Sequence, residues 1–438
     1  MSDILIYFFA AMKKPFLFLL LIIFSLGCTP DKPESVTPAS DILLPGSPEV
    51  VGMSSERLDR IDAMIEEYID NGWIPGAVTL IARHGKIVHY KGYGMRDMEA
   101  GDPLEKDDIF RIASMTKAIT CMAVMILYEE GKFQLDDPVS NYIPEYKNPE
   151  VLVSVNPDST YTSRPAKSEI TIRQLLTHTS GLGYPIFNPE ISAVYYKAGI
   201  IDAWSLDADL LSEKMKVLGK LPILFDPGEQ YLYGLSIDVL GYLVEVLSGK
   251  SLREFLSERL FDPLGMEDTD FYLPGDKADR LINLYSETKS GLILSESELY
   301  ADFPLRSAKT YYSGGGGLCA TTLDYARFMQ MMLNGGHYNG NQILSPKTIE
   351  LITTNQIGDF WDVNGMGLGF GIIDKKGADR ALISEGSYRW GGYFHTHYWI
   401  DPQEDLIALL MLQILPHQHP EIEDKFQVLT YQAITKLN

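Results

Sequence analysis

At 438 residues the chain is long enough for two or three average domains or one large two-lobed enzyme, and an apolar share of 45% gives it a sizeable core. Its formal net charge of −22 repels phosphate backbones and anionic headgroups, which argues against nucleic-acid binding and against polybasic membrane contact. The three cysteines, Cys28, Cys121 and Cys319, have neither the paired spacing of a zinc site nor the density of a disulfide scaffold.

Along the chain, Lys13-Lys14 precedes an apolar run from Phe16 to Phe24, then Ser25-Leu26-Gly27-Cys28 and a polar, proline-bearing stretch. The run is too short to cross a bilayer as a helix, so residues 1–28 read as an export signal. Leu26-Gly27-Cys28 resembles a bacterial lipobox, which implies cleavage before Cys28 and a lipid on its sulfur. The chain would then be a lipoprotein of the cell envelope, periplasmic or surface-facing, touching membrane only through that lipid. Met12-Lys13-Lys14 makes a more usual signal start than Met1, so translation is expected to begin at Met12. Residues 29–48 read as a tether and residues 49–438 as one domain.

From Ser54 the positions Leu58, Ile61, Met64 and Ile65 predict an amphipathic helix, capped by Ser54 or Ser55. Ala77 to Ala82 and Lys86 to Lys91 predict two strands around a turn at Arg83-His84-Gly85. Ala118 to Tyr128 is apolar almost all round and is expected to be a buried central helix, stopped by Gly131. The polar stretch from Lys147 to Ser168 reads as a long loop, and Tyr325 to Leu333, after the glycine run Gly314 to Gly317, as another helix. Tyr393 to Ile400 and Leu406 to Gln413 predict a second hairpin, followed by a last helix from Glu421 to Leu437. A hairpin near each end, each flanked by a helix, predicts an α+β fold: an antiparallel sheet flanked by terminal helices, with a helical lobe inserted over roughly residues 105–330 and a site in the cleft between them.

Ser114 and Lys117 begin the apolar helix on one face, three residues apart. A serine hydroxyl needs a partner that removes its proton, and a desolvated lysine is one candidate. The segment Phe110-Arg111-Ile112-Ala113-Ser114-Met115-Thr116-Lys117 resembles the active-site segment of the serine β-lactamase and penicillin-binding-protein superfamily, in its class C-related, esterase-like branch. The segments Leu175-Leu176-Thr177-His178-Thr179-Ser180-Gly181-Leu182, Pro227-Gly228-Glu229-Gln230-Tyr231-Leu232-Tyr233 and Gly315-Gly316-Gly317-Leu318 follow in that superfamily's order.

The resemblance implies a β-lactamase/transpeptidase-like fold and an acyl-enzyme on Ser114, with Lys117 and Tyr233 moving the protons. Leu235 stands where penicillin-recognising members carry asparagine, and Trp390-Gly391-Gly392 replaces their Lys-Thr-Gly. Without that amide and that cation, a carboxylesterase acting on neutral esters is favoured over the alternatives, a β-lactamase or a D-amino-acid-releasing cell-wall peptidase. The glycines Gly391 and Gly392 would leave the strand bare for substrate, and the backbone N–H groups of Tyr393 and Ser114 would form the oxyanion hole. A non-catalytic envelope binding protein is the alternative of another class, but Ser114, Lys117 and Tyr233 are all in place.

The partner is thus a small-molecule ester or amide, with no metal or organic cofactor required. His178 reads as a structural loop-corner residue. The pairs His395/His397 and His417/His419 have no carboxylate or third histidine spaced near them to complete a metal site.

Overall fold

The computed structural model describes residues 41–360 and 364–438. The expected export signal, Cys28 and the first part of the tether lie outside the described residues.

A mostly antiparallel sheet organises the chain. Its strands are β1 (Leu44–Pro45), β2 (Gly76–Arg83), β3 (Lys86–Asp97) and, after an excursion that includes the short pair β4 (Ile109–Arg111) and β5 (Cys319–Thr321), β6 (Asn364–Met366), β7 (Gly371–Ile373), β8 (Tyr388–Gly391), β9 (Thr396–Asp401) and β10 (Leu406–Met411). In space the order is β1-β3-β2-β10-β9-β8-β7-β6, so strands from both ends of the chain meet at the β2–β10 seam. The β2–β3 hairpin turns at His84 and Gly85, whose φ values of 50° and 68° suit the tight turn that follows a right-handed strand twist.

The helices are α1 (Ser55–Asp70), α2 (Thr116–Glu129), α3 (Ser236–Ser248), α4 (Thr322–Leu333) and α5 (Ile422–Gln432), with several shorter ones. Ser54 accepts a hydrogen bond from the Arg57 N–H and caps α1, which buries Leu58, Ile61, Met64, Ile65 and Tyr68. Alternation along β10 explains how one strand serves two cores. Leu406, Ala408 and Leu410 face the cluster built by α1 and α5, while Ile407, Leu409 and Met411 face the larger cluster that contains α2 and α4. Each such side chain contributes about 1.5–3 kcal/mol on burial. Helix α2 is buried from Thr116 to Leu127 and packs against α3, as its all-round apolar sequence predicts.

The strand expected from Tyr393 starts at Thr396, β3 runs on to Asp97, and several further boundaries differ from the sequence reading. Residues 41–48 are not tether: the Leu44 and Gly46 N–H groups donate to Gly85 and Ile87 carbonyls at 3.0 Å each, and Ile42 and Leu43 pack on the core. The polar stretch after Lys147 is a hairpin, Glu150–Val155 with Tyr161–Pro165, held by strand pairing on one of whose faces Val151 is buried. The last helix stops at Gln432 because the chain then turns to bond β-fashion with the segment before α1, Ser54 N–H donating to Ala433 O at 2.8 Å and Thr435 N–H to Gly52 O at 2.8 Å. Helix α4, at the end of the expected lobe, packs on β10, β2 and β9 of the sheet. Strands β6 and β7, too short and glycine-rich to show period-two patterning, extend the sheet past β8.

Candidate functional site

The turn that presents Ser114 is built by strand pairing and by one strained residue. Cys319, Ala320 and Thr321 of β5 pair with Arg111, Phe110 and Ile109 of β4, which lays the Gly314–Gly317 run alongside the start of α2. Ala113 has φ 43°, a left-handed conformation unusual for a residue with a Cβ, and it swings Ser114 out at the head of the helix. The Leu318 N–H donates to Thr116 Oγ1 at 3.1 Å and the Tyr325 hydroxyl to Met115 O at 3.0 Å, so the strained turn is held on both sides.

Lys117, 2% exposed, lies one helical turn on. Its Nζ donates to Ser114 Oγ at 3.2 Å, to Tyr184 Oη at 3.0 Å and to the Gly315 carbonyl at 2.6 Å. An ammonium has three hydrogens, and here three acceptors surround it. The Tyr233 hydroxyl is hydrogen-bonded to Ser114 Oγ at 2.6 Å, and Lys117 Nζ stands 4.5 Å from the Tyr233 ring centroid. The structure therefore brings together the three side chains singled out for proton chemistry.

The sequence reading missed Tyr184 and Asp238. Asp238, wholly buried on α3, accepts from Ser313 Oγ at 2.6 Å and from the Gly315 N–H at 3.1 Å, fixing the residue whose carbonyl holds Lys117. A Cβ on Gly315 would fall 2.3 Å from Asp238 Oδ2 and 2.6 Å from Tyr184 Oη, so only glycine fits between them. Burial first, then the Asp238 charge, pushes the Tyr184 hydroxyl well above the ordinary tyrosine range, which keeps it protonated. Neither residue lies in a motif quoted above, though Tyr184 follows Leu182 by two residues and Asp238 follows Tyr233 by five.

His178 is a loop-corner residue, with φ 54° and a ring 5.0 Å from that of Tyr233. Burial drives its imidazole well below the usual range, and Lys117 adds to the effect, so the ring is neutral. Leu235 is fully buried. Trp390 lies 5.8 Å, centroid to centroid, from Tyr233, while Arg389 is exposed. The two glycines after Trp390 answer to packing as well as to open space. A Cβ on Gly392 would meet Ile112 O at 2.5 Å, and one on Gly391 would meet the His397 ring at 2.6 Å. Their absence of side chains lets the end of β8 close onto the turn before Ser114.

Ser114 opens into a cavity of about 500 Å³ whose lining includes Tyr184, Phe187, Trp204, Tyr300, Trp390 and Tyr393. Trp204 donates its indole N–H to Gly316 O at 2.9 Å, tying this aromatic wall to the glycine run. Asp202 is the one charged side chain that lines it among the described residues; no lysine or arginine does.

A second polar group lies behind β8. The reading that no carboxylate completes the histidine pair is corrected, because Glu423 of α5 approaches both His395 and His397. A spacing search fails here since the fold, not local sequence, brings the helix to the strand.

The protein Rv1367c of Mycobacterium tuberculosis is 33% identical over 381 residues, covering 82% of this chain and 90% of its own. The esterase EstB of Burkholderia gladioli is 30% identical over 370 residues, covering 80% of this chain and 89% of its own. Among solved structures, EstCE1, described as a hydrolase with promiscuous acyltransferase activity, superposes with a TM-score of 0.73 at 25% identity over 87% of this chain and 99% of its own. Residues 61–432 match the Beta-lactamase family, and the chain belongs to that family of β-lactamase-fold serine hydrolases.

Proposed function

We propose that the protein is a carboxylesterase for neutral esters with a bulky apolar group. The carrying observation is the pairing of the Ser114–Tyr233–Lys117 hydrogen-bond set with an aromatic cavity that no lysine or arginine lines among the described residues. In the first step Tyr233, entering as the phenolate, takes the proton of Ser114 Oγ as that oxygen bonds to the ester carbonyl carbon and the carbonyl oxygen becomes an oxyanion. With all three Nζ hydrogens engaged, Lys117 acts as the cation that stabilises the phenolate and Tyr233 as the base. The backbone N–H groups of Ser114 and Tyr393 hold the oxyanion. The carbon–oxygen bond to the alcohol breaks, Tyr233 returns the proton to the leaving alkoxide, and water attacks the acyl-enzyme by the same path to release the acid.

A β-lactam or D-amino-acid peptide carries a carboxylate, and an apolar cavity with Asp202 on its wall gives that anion no partner. Hydrolysis of p-nitrophenyl esters and of a chromogenic cephalosporin, with Ser114→Ala alongside, tests the reading. Ester turnover lost in the variant and little cephalosporin turnover support it; rapid cephalosporin hydrolysis would overturn the substrate class, and activity persisting in Ser114→Ala would overturn the mechanism. We also infer, from Leu26-Gly27-Cys28 alone, an envelope lipoprotein; Cys28→Ser should release the protein from the membrane fraction and abolish incorporation of labelled palmitate.

A further inference from the structure

His395 and His397 flank Thr396 at the start of β9, and Glu423 stands in the first turn of α5. His395 Nδ1 is 3.0 Å and His397 Nε2 2.5 Å from the same oxygen, Glu423 Oε1. The ligand atoms of the three residues all lie within 4.8 Å of one another. The side chain between them goes elsewhere, Thr396 Oγ1 donating to Ile112 O at 3.5 Å beside the Ser114 turn. The backbone at His395 is left-handed, φ 63°, a conformation that costs a non-glycine residue energy.

A second observation points the same way. Both ring nitrogens of His417 are shielded from solvent and have no hydrogen-bond partner among the described residues. Its ring meets that of His395 edge-on at 4.8 Å between centroids. An imidazole left unpaired in this way carries a desolvation cost that a ligand would relieve. The cluster is also reachable: the side chains of His395, His397 and Glu423 are 22–29% exposed, and His397 and Glu423 line a second cavity on the far side of β8.

We propose that His395, His397 and Glu423 form a binding site for a zinc-class divalent transition ion, with the unpartnered His417 ring beside His395. Two imidazoles and one carboxylate suit zinc and its first-row neighbours, whereas calcium and magnesium take oxygen ligands. The ion would clamp α5 to the tight turn between β8 and β9 that carries Tyr393. Because the His397 ring packs directly on the Gly391 backbone, fixing that ring also fixes the end of the strand lining the ester cavity. This inference is independent of the esterase reading.

The test uses the full chain without a histidine tag, stripped with chelator and titrated with Co²⁺, read by visible absorption, and with Zn²⁺, read by calorimetry and by metal analysis after dialysis. The expected result is about one ion per chain, with binding weakened at least tenfold in Glu423→Gln and in His397→Gln, and measurably in His417→Asn. Zinc should raise the melting temperature of the parent protein with rising concentration and leave that of Glu423→Gln unchanged. Two results would overturn the site: no stoichiometric binding by the parent protein, or equal binding by the parent and Glu423→Gln. Either would leave the histidines and the glutamate as a hydrogen-bonded cluster only. None of these readouts depends on turnover.

Discussion

The floor and the wall of the ester cavity are built differently. At the floor, Ser114, Lys117, Tyr184, Tyr233, Gly315 and Asp238 form a continuous hydrogen-bonded set in which a shift of one member moves the rest. At the wall, rings such as Trp204, Tyr300 and Tyr393 meet at centroid distances of 5.3–6.3 Å and at varied angles, and are held mainly by packing. Directional bonds tolerate little change, whereas apolar contacts can repack at modest cost. The floor should therefore set whether chemistry occurs, and the wall should set on which ester.

Ser114→Ala breaks the floor most completely, and kcat for p-nitrophenyl butyrate should fall by at least about 10⁴-fold with KM little changed. Tyr233→Phe, which removes the proposed base and keeps the ring, should cost about 10²–10⁴-fold in kcat. Tyr184→Phe touches the reaction only through Lys117; a loss of about tenfold is expected, and a loss equal to that of Tyr233→Phe would reassign the base. On the wall, Trp204→Ala should change the ratio of kcat/KM between long and short acyl chains by about 10–200-fold while short-ester turnover persists. If short esters suffer equally, the division between floor and wall fails.

The smallest effect separates stability from chemistry by pH. His178 is held neutral, well below the usual histidine range, by burial first and then by Lys117, and burial lowers His89 to about 4. The unfolded chain takes up protons near pH 6.5 that the folded chain refuses, so their contribution is complete above that pH and is lost as pH falls. The melting temperature should drop between pH 7 and pH 5, and His89→Gln should flatten the drop. An unchanged melting temperature over that range would mean that both rings titrate normally.

What could be read from the residues follows from how local each signal is. The β2–β3 hairpin was legible because His84-Gly85 sits between two apolar runs, and α2 because its apolar side chains are consecutive. Ser114, Lys117 and Tyr233 were legible through short motifs. Tyr184 and Asp238 were not, because each acquires its place only when α3, the glycine run and α2 converge on one residue, Gly315. Glu423 was invisible as a partner of His395 and His397 for the same reason. The hairpin after Lys147 was obscured by its polarity: apart from Val151 its strands are largely exposed, so alternation there carries no core signal.

The short strand Leu44–Pro45 has a consequence for how molecules of this protein behave beside one another. An open sheet offers its outermost N–H and C=O groups to any strand that comes near, and such edges seed aggregation. Here a two-residue strand ending in proline, which has no N–H to give, covers the start of β3 at Lys86 and Ile87, and the opposite edge is the three-residue β6. Deleting residues 41–46 would uncover the edge of β3 at Lys86 and Ile87 and should increase concentration-dependent self-association relative to the parent protein.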